Sequence, residues 1–195
     1  MTDEAPDPSP AFAPSDTKMM GGLLISAPNQ QDPNFLRTVV LMCQHDEKGA
    51  LGLVINRIGP VPIGEVLEKL ELAASADYPQ PTWWGGPVGM GTGFVVWRGE
   101  VDDDEGWNLG SGVAVSPSAE RLAALARDGD DFELCLGYAG WSPGQLDREI
   151  DDGGWLFTAV DPTIVFEVAQ ADRYRAALAT LGLSPDSLWQ GPADA

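Results

Sequence analysis

Gly137-Tyr138-Ala139-Gly140-Trp141-Ser142-Pro143-Gly144-Gln145-Leu146-Asp147-Arg148-Glu149-Ile150 is the stretch on which the fold turns. An apolar run from Phe132 to Tyr138 feeds into it as a strand. Ser142-Pro143 then has the form of a helix start, a capping hydroxyl followed by proline at the first helical position. The segment is therefore predicted to be a strand-to-helix corner, with a short helix running toward Ile150. If Pro143 opens that helix, Gln145 and Glu149 fall one turn apart on one face. An amide and a carboxylate then stand together beside the amphipathic wall of Trp141. They can receive a polar ligand or a partner's donor, or they can tie the corner down by satisfying its own buried polar groups.

Upstream, Gly22 to Ala27 and Phe35 to Cys43 are short, partly β-branched apolar runs punctuated by Pro28 and Pro33, which predicts strands. His45 to Gly49 reads as a turn and Ala50 to Asn56 as the returning strand. Residues 35 to 56 thus form a hairpin whose tip presents His45, Asp46 and Glu47. Ile63, Val66, Leu67 and Leu70 recur at helical spacing and predict a first helix over Ile63 to Leu72. A second follows Ser116 as cap and Pro117 as first helical residue, stopping at Gly129. Asp161-Pro162 repeats that grammar, and a last helix spans Asp172 to Leu181 before Gly182. Further apolar runs lie at Gly93 to Trp97, Gly112 to Val115 and Trp155 to Val160. Strands and helices intermix without βαβ alternation, so the fold class is α+β, with a mixed or mostly antiparallel sheet.

The chain's 195 residues, 44% of them hydrophobic, suffice for one sizeable core and favour a single compact domain over residues 19–190. Residues 1–18 are acidic and Pro-rich and are expected to form a disordered tail, with a shorter one over 191–195. The N-terminus is the opposite of a signal peptide, and no apolar run approaches membrane-spanning length, so a cytoplasmic location is expected. Cys43 and Cys135 sit inside apolar runs and read as buried free thiols. With 30 acidic against 11 basic residues the net charge is -19, and the Lys and Arg side chains are scattered. That balance argues against direct nucleic-acid binding. Arg57, Arg148, Arg173 and Arg175 would have to form one face to reverse it.

His45 is the only histidine and titrates near neutrality when unperturbed, which suits proton transfer. Cys43, two residues earlier, would share its side of a regular strand. A nucleophilic pair needs an exposed, activated thiol, however, and Cys43 lies within a continuous apolar run. The spacing of these groups matches no structural metal site, so no metal and no cofactor is expected. Gly85-Gly86-Pro87-Val88-Gly89-Met90-Gly91-Thr92-Gly93 could bring backbone amides to an anion. It lacks both the Lys-Ser/Thr of a P-loop and the following helix of a dinucleotide site. A tight backbone crossing beneath Trp83 and Trp84 explains the glycines better.

Several pieces in order carry a family resemblance. They are Pro33 to Phe35, the Val-Val-Leu-Met-Cys-Gln-His run ending at His45, Gly49 to Asn56, Gly85 to Val88, Gly137 to Trp141, Gly144 to Leu146, Glu149 and Trp155. Across residues 20 to 190 the chain resembles the bacterial YqgE/AlgH family. The resemblance implies a compact α+β domain whose small barrel-like β core is flanked by helices. It implies little about activity, the regulatory label coming from a member linked to alginate production.

A non-catalytic binding or regulatory module acting on a protein partner is the favoured function, since no catalytic motif is complete and the seven tryptophans offer interface anchors. The candidate surface comprises His45, Asn56, Gly85, Gly86, Pro87, Trp141, Gln145 and Glu149. The chain is expected to be a monomer or weak homo-oligomer. The alternative is a hydrolase-like enzyme using His45 or Glu149 near the Gly85–Gly93 loop. It requires His45, Glu149 and Gly86 to converge in one pocket.

Overall fold

The computed structural model describes residues 20–188. The tails expected over residues 1–18 and 191–195 lie outside that range. The strands are β1 (Gly22–Ser26), β2 (Val39–Asp46), β3 (Gly49–Val54), β4 (Ile58–Pro62), β5 (Pro81–Trp84), β6 (Val88–Arg98), β7 (Trp107–Asn108), β8 (Val113–Ser116), β9 (Phe132–Trp141) and β10 (Trp155–Ala159). Among the described residues six α-helices join them: α1 (Ile63–Lys69), α2 (Ala119–Asp128), α3 (Gln145–Asp151), α4 (Pro162–Phe166), α5 (Arg173–Thr180) and α6 (Pro185–Leu188).

The sheet runs β10-β1-β2-β3-β9-β6-β8-β7, with β4 on β5 and β5 on β9. Every ladder is antiparallel except β5 against β9. The α+β class with a mixed, mostly antiparallel sheet is therefore observed. The implied barrel-like core is an open sheet, its order ending at β10 and β7. Continuous apolar runs in β1 and β2 arise because both faces of the sheet are covered. Leu23, Ile25, Leu41 and Cys43 enter one core cluster together with Tyr174 and Leu178 of α5. Leu24, Val40 and Met42 enter another, under Leu146 of α3.

Several boundaries differ from the sequence reading. Phe35 lies in a 3-10 turn, Pro33–Phe35, so β2 begins only at Val39, and α1 ends at Lys69 and not at Leu72. β2 continues through His45 and Asp46, so the hairpin turn is only Glu47-Lys48 and His45 is buried, not displayed at a tip. Gly49 makes this tight reversal possible, since a Cβ there would stand 2.3 Å from the Trp141 carbonyl oxygen. Helix α2 is capped by Ser118, whose hydroxyl accepts from Arg121 N, and not by Ser116. Ser116 belongs to β8, where its hydroxyl donates to the Glu105 carbonyl. Helix α3 begins at Gln145, after Pro143, with Gly144 at φ +67 as the cap position. The Gln145 side chain itself accepts from the Ser142 N–H at 3.0 Å.

Candidate functional site

β2, β3 and β9 lie side by side, and His45 pairs with Ala50 while Ala50 pairs with Trp141. Cross-strand partners share a sheet face, so these three side chains form one row, which α3 covers. A bulge between Met42 and Gln44 sets Cys43 apart from this row. Cys43 points into the opposite core cluster, and burial pushes its thiol far above its ordinary range. It does not share a face with His45, which corrects the expectation for a regular strand.

Glu149 organises the corner. Its Oε2 accepts from the indole N–H of Trp141 at 3.0 Å and of Trp155 at 2.8 Å, and its Oε1 from the Gln145 amide at 2.9 Å. Two of the donors belong to the corner itself, and the third, Trp155, opens the neighbouring β10. His45 Nε2 lies 3.4 Å from Asp147 Oδ2 on the same helix, and its Nδ1 has no hydrogen-bond partner among the described residues.

Beside this row opens a cleft of about 470 Å³. Gly49, Ala50 and Leu51 of β3 form one side with Gly140 and Trp141 of β9, while Tyr138, Val88, Gln44, Lys48 and Ser142 complete the lining. Lys48 is the charged residue in that lining, a cation on a strongly acidic chain. The Gln44 amide donates to Asp46 Oδ2 and the Lys48 N–H to Oδ1, which together hold the Asp46 carboxyl below its usual range and fix the rim.

Of the residues singled out in the sequence, Trp141 lines this cleft, whereas His45, Glu149 and Gly86 do not. This cleft does not bring together the three residues whose convergence the hydrolase-like alternative requires. Asn56 braces the start of β2, accepting from Val39 N and donating to the Arg37 carbonyl, both at 2.9 Å. Gly85 bridges two strands, since its N–H donates to the Leu136 carbonyl and its carbonyl accepts from Val54 N. Gly86 lies against the Tyr138 backbone, and Pro87 is exposed beside it. Arg173 is 3% exposed and donates to the Ile55 and Val168 carbonyls, so it cannot join Arg57, Arg148 and Arg175 in a basic face.

Comparison with known proteins places this geometry. An AlgH-like family model matches residues 23–186. The chain belongs to the AlgH-like family. It is 41% identical over 170 residues to a UPF0301 protein of Ralstonia nicotianae, covering 85% of this chain and 89% of that one. A UPF0301 protein of Anaeromyxobacter dehalogenans is 40% identical over 176 residues, covering 84% and 88%. The solution structure of AlgH from Pseudomonas aeruginosa superposes with a TM-score of 0.72 at 34% identity, over 94% of this chain and 100% of that one. A protein of Corynebacterium diphtheriae shares the fold, with a TM-score of 0.67 at 22% identity over 86% and 90%. No helix among the described residues of this AlgH-like chain is long and apolar enough to cross a membrane.

The sequence reading missed a second cleft, lined by Gln80, Arg98, Asp131, Phe132, Glu133, Phe166 and Glu167. The available signal was one acid, Glu133, inside the apolar run from Phe132 to Tyr138. Burial pushes the Glu133 carboxyl up to about 7, opposed by the Arg173 charge and reinforced by Asp131. Below its unfolded value of about 4.5 the group is protonated in both states and costs nothing. As pH rises through 7 the folded state must ionise a half-buried carboxyl, so stability is lost across that window. Glu133→Gln is therefore expected to match wild type at pH 4 and to exceed it by about 2 kcal/mol at pH 8, after allowance for solvent screening. Urea denaturation at the two pH values measures the difference, and an equal offset at both would show that ionisation is not its source.

Proposed function

We propose that this AlgH-like chain is a non-catalytic binding and regulatory module, acting on a protein partner through the cleft between the β2–β3 turn and the end of β9. The position of that concavity carries the reading. Tyr138 and Trp141 wall it and glycines line it, while the groups suited to proton transfer, His45 and Glu149, lie outside its lining. An aromatic wall beside accessible backbone suits an extended peptide segment, for which aromatic residues are the usual anchors. Lys48 at the rim favours a segment carrying an acidic side chain. A regulatory role exercised in this way runs through protein contact and needs no basic face.

The experiment is quantitative capture from lysate with wild type, a Lys48→Glu/Val88→Glu variant and a Lys69→Glu control away from the cleft. Val88 is 41% exposed, so folding should be unaffected, and circular dichroism with a melting curve checks this. A partner retained by wild type and control but reduced about tenfold by the double variant is the expected result. Equal retention by all three would remove the cleft from the partner-binding role.

A further inference from the structure

The second cleft, about 360 Å³ in volume, lies where the start of β9 meets the end of β6 and the C-terminal end of α4. One wall is Phe166, and that ring already carries a planar cation. The Arg98 guanidinium lies 4.9 Å from its centroid and 2.6 Å from Glu167 Oε1. Two further carboxylates, Asp131 and Glu133, also line the cleft. Glu133 is half-buried, and no hydrogen bond or close ion pair engages its carboxyl among the described residues.

The charged and titratable groups around Glu133 are Asp131 just before its strand, Cys135 on that strand, Arg98 on β6, Glu167 at the C-cap of α4 and Arg173 on α5. Arg98 is taken by Glu167. Arg173 is held by the Val168 and Ile55 carbonyls and stacks on Trp83 at 4.4 Å, so it acts on Glu133 only from a distance. Burial disfavours the ionised form of this carboxyl while its oxygens stay open to the cleft, a combination found at functional positions.

We propose that this cleft binds a small guanidinium-bearing cation, seated on the Phe166 ring and paired with Glu133. A guanidinium offers a planar fork of donors that matches a carboxylate and stacks on an aromatic face. The volume lies within the range of small-molecule sites. Arg98 serves as the occupant in the ligand's absence and, half exposed, can swing to solvent when the ligand takes its place. Binding requires ionised Glu133, whose carboxyl titrates near 7, so it is coupled to proton release. Only the ionised fraction is competent, and apparent affinity should therefore fall about tenfold from pH 8 to pH 6.

The test is titration of the nitrogen-15-labelled full chain with agmatine, followed by amide shifts at constant ionic strength. A five-residue peptide with a central arginine is titrated in parallel, and butylurea serves as the neutral control. The expected result is saturable shifts confined to residues 131–133, 98 and 166–167, the tenfold pH dependence, and no response to butylurea. Glu133→Gln should abolish the saturation while folding normally, and Phe166→Leu should weaken it without altering its pH dependence. Tighter binding of agmatine identifies a free small molecule as the source of the guanidinium, and tighter binding of the peptide an arginine side chain of a protein. Shifts spread over the whole acidic surface, a titration unchanged in Glu133→Gln, or no saturation at millimolar agmatine would overturn the proposal.

Discussion

Glu149→Ala is expected to destabilise the protein by about 3–5 kcal/mol and to lower Tm by about 10 °C, because it strands two buried indole donors at once. Trp141 and Trp155 are 6% and 3% exposed, so neither N–H can turn to bulk water when the carboxylate is removed. An unsatisfied buried donor costs about 1–3 kcal/mol, and these bonds are strengthened by the negative charge that accepts them. The loss also spreads. The two indoles pack edge to face at 6.0 Å, and Phe35 completes a triangle with them, in contact with both rings. Glu149→Gln keeps one oxygen able to accept twice, but it turns an amide NH₂ toward the Gln145 donor; about 1–2 kcal/mol is expected. Urea denaturation with near-ultraviolet circular dichroism reads both variants. A loss below about 1 kcal/mol in the alanine variant would mean that the indoles reach water. The Trp141, Gln145 and Glu149 corner would then be an accessible binding surface. The expected large loss makes it the brace that holds Trp141 in place as the wall of the neighbouring cleft.

The resemblance and the α+β class were legible in the sequence because both rest on order and periodicity, which local residues report faithfully. Apolar runs marked β1, β2, β9 and β10, and Asp161 caps α4 as read, accepting from Thr163 N at 2.8 Å. The spacing of Gln145 and Glu149 also held, with the two side chains bonded to each other. What failed depended on distant partners. His45 looked like a turn residue because the polar triplet His45-Asp46-Glu47 resembles a hairpin tip. The turn moved two residues on because Gly49 can pass beneath the Trp141 carbonyl, a contact 92 residues away in sequence. The bulge at Cys43, which reverses which residue faces which core, leaves no mark in composition. β4 (Ile58–Pro62) was invisible because Pro60 and Pro62 deny it strand propensity; it survives at an edge where the missing donors are not needed. The Glu133 cleft gathers residues from β6, β9 and α4, and nothing local announces that they meet.

Gly86→Ala should cost about 3–5 kcal/mol, whereas Gly91→Ala, five residues along the same glycine-rich segment, should stay within about 0.5 kcal/mol of wild type. Nothing in the local residue pattern separates the two positions, and the geometry does. A Cβ on Gly86 would lie 2.1 Å from the Tyr138 carbonyl carbon and 2.4 Å from Ala139 N, all of it backbone, at φ +152. β9 cannot retreat, since at this level it is paired to β3 through Ala139 and to β6 through Tyr138. Strain and overpacking therefore add, with no flexible side chain to absorb either. A Cβ on Gly91 would instead meet nothing within 4 Å, in the stretch where β6 bulges away between Val88 and Gly93. Thermal melts of the two variants distinguish a strand crossing from an anion cradle. In a cradle both glycines would serve a ligand, both alanines would be tolerated by the empty fold, and the defect would surface only in binding. A steep loss confined to Gly86 means that its glycine is required by contact between two chain segments. The tight crossing then carries Val88 to the lining of the cleft that Trp141 also walls, so the same close packing that forbids a side chain at Gly86 shapes that cleft.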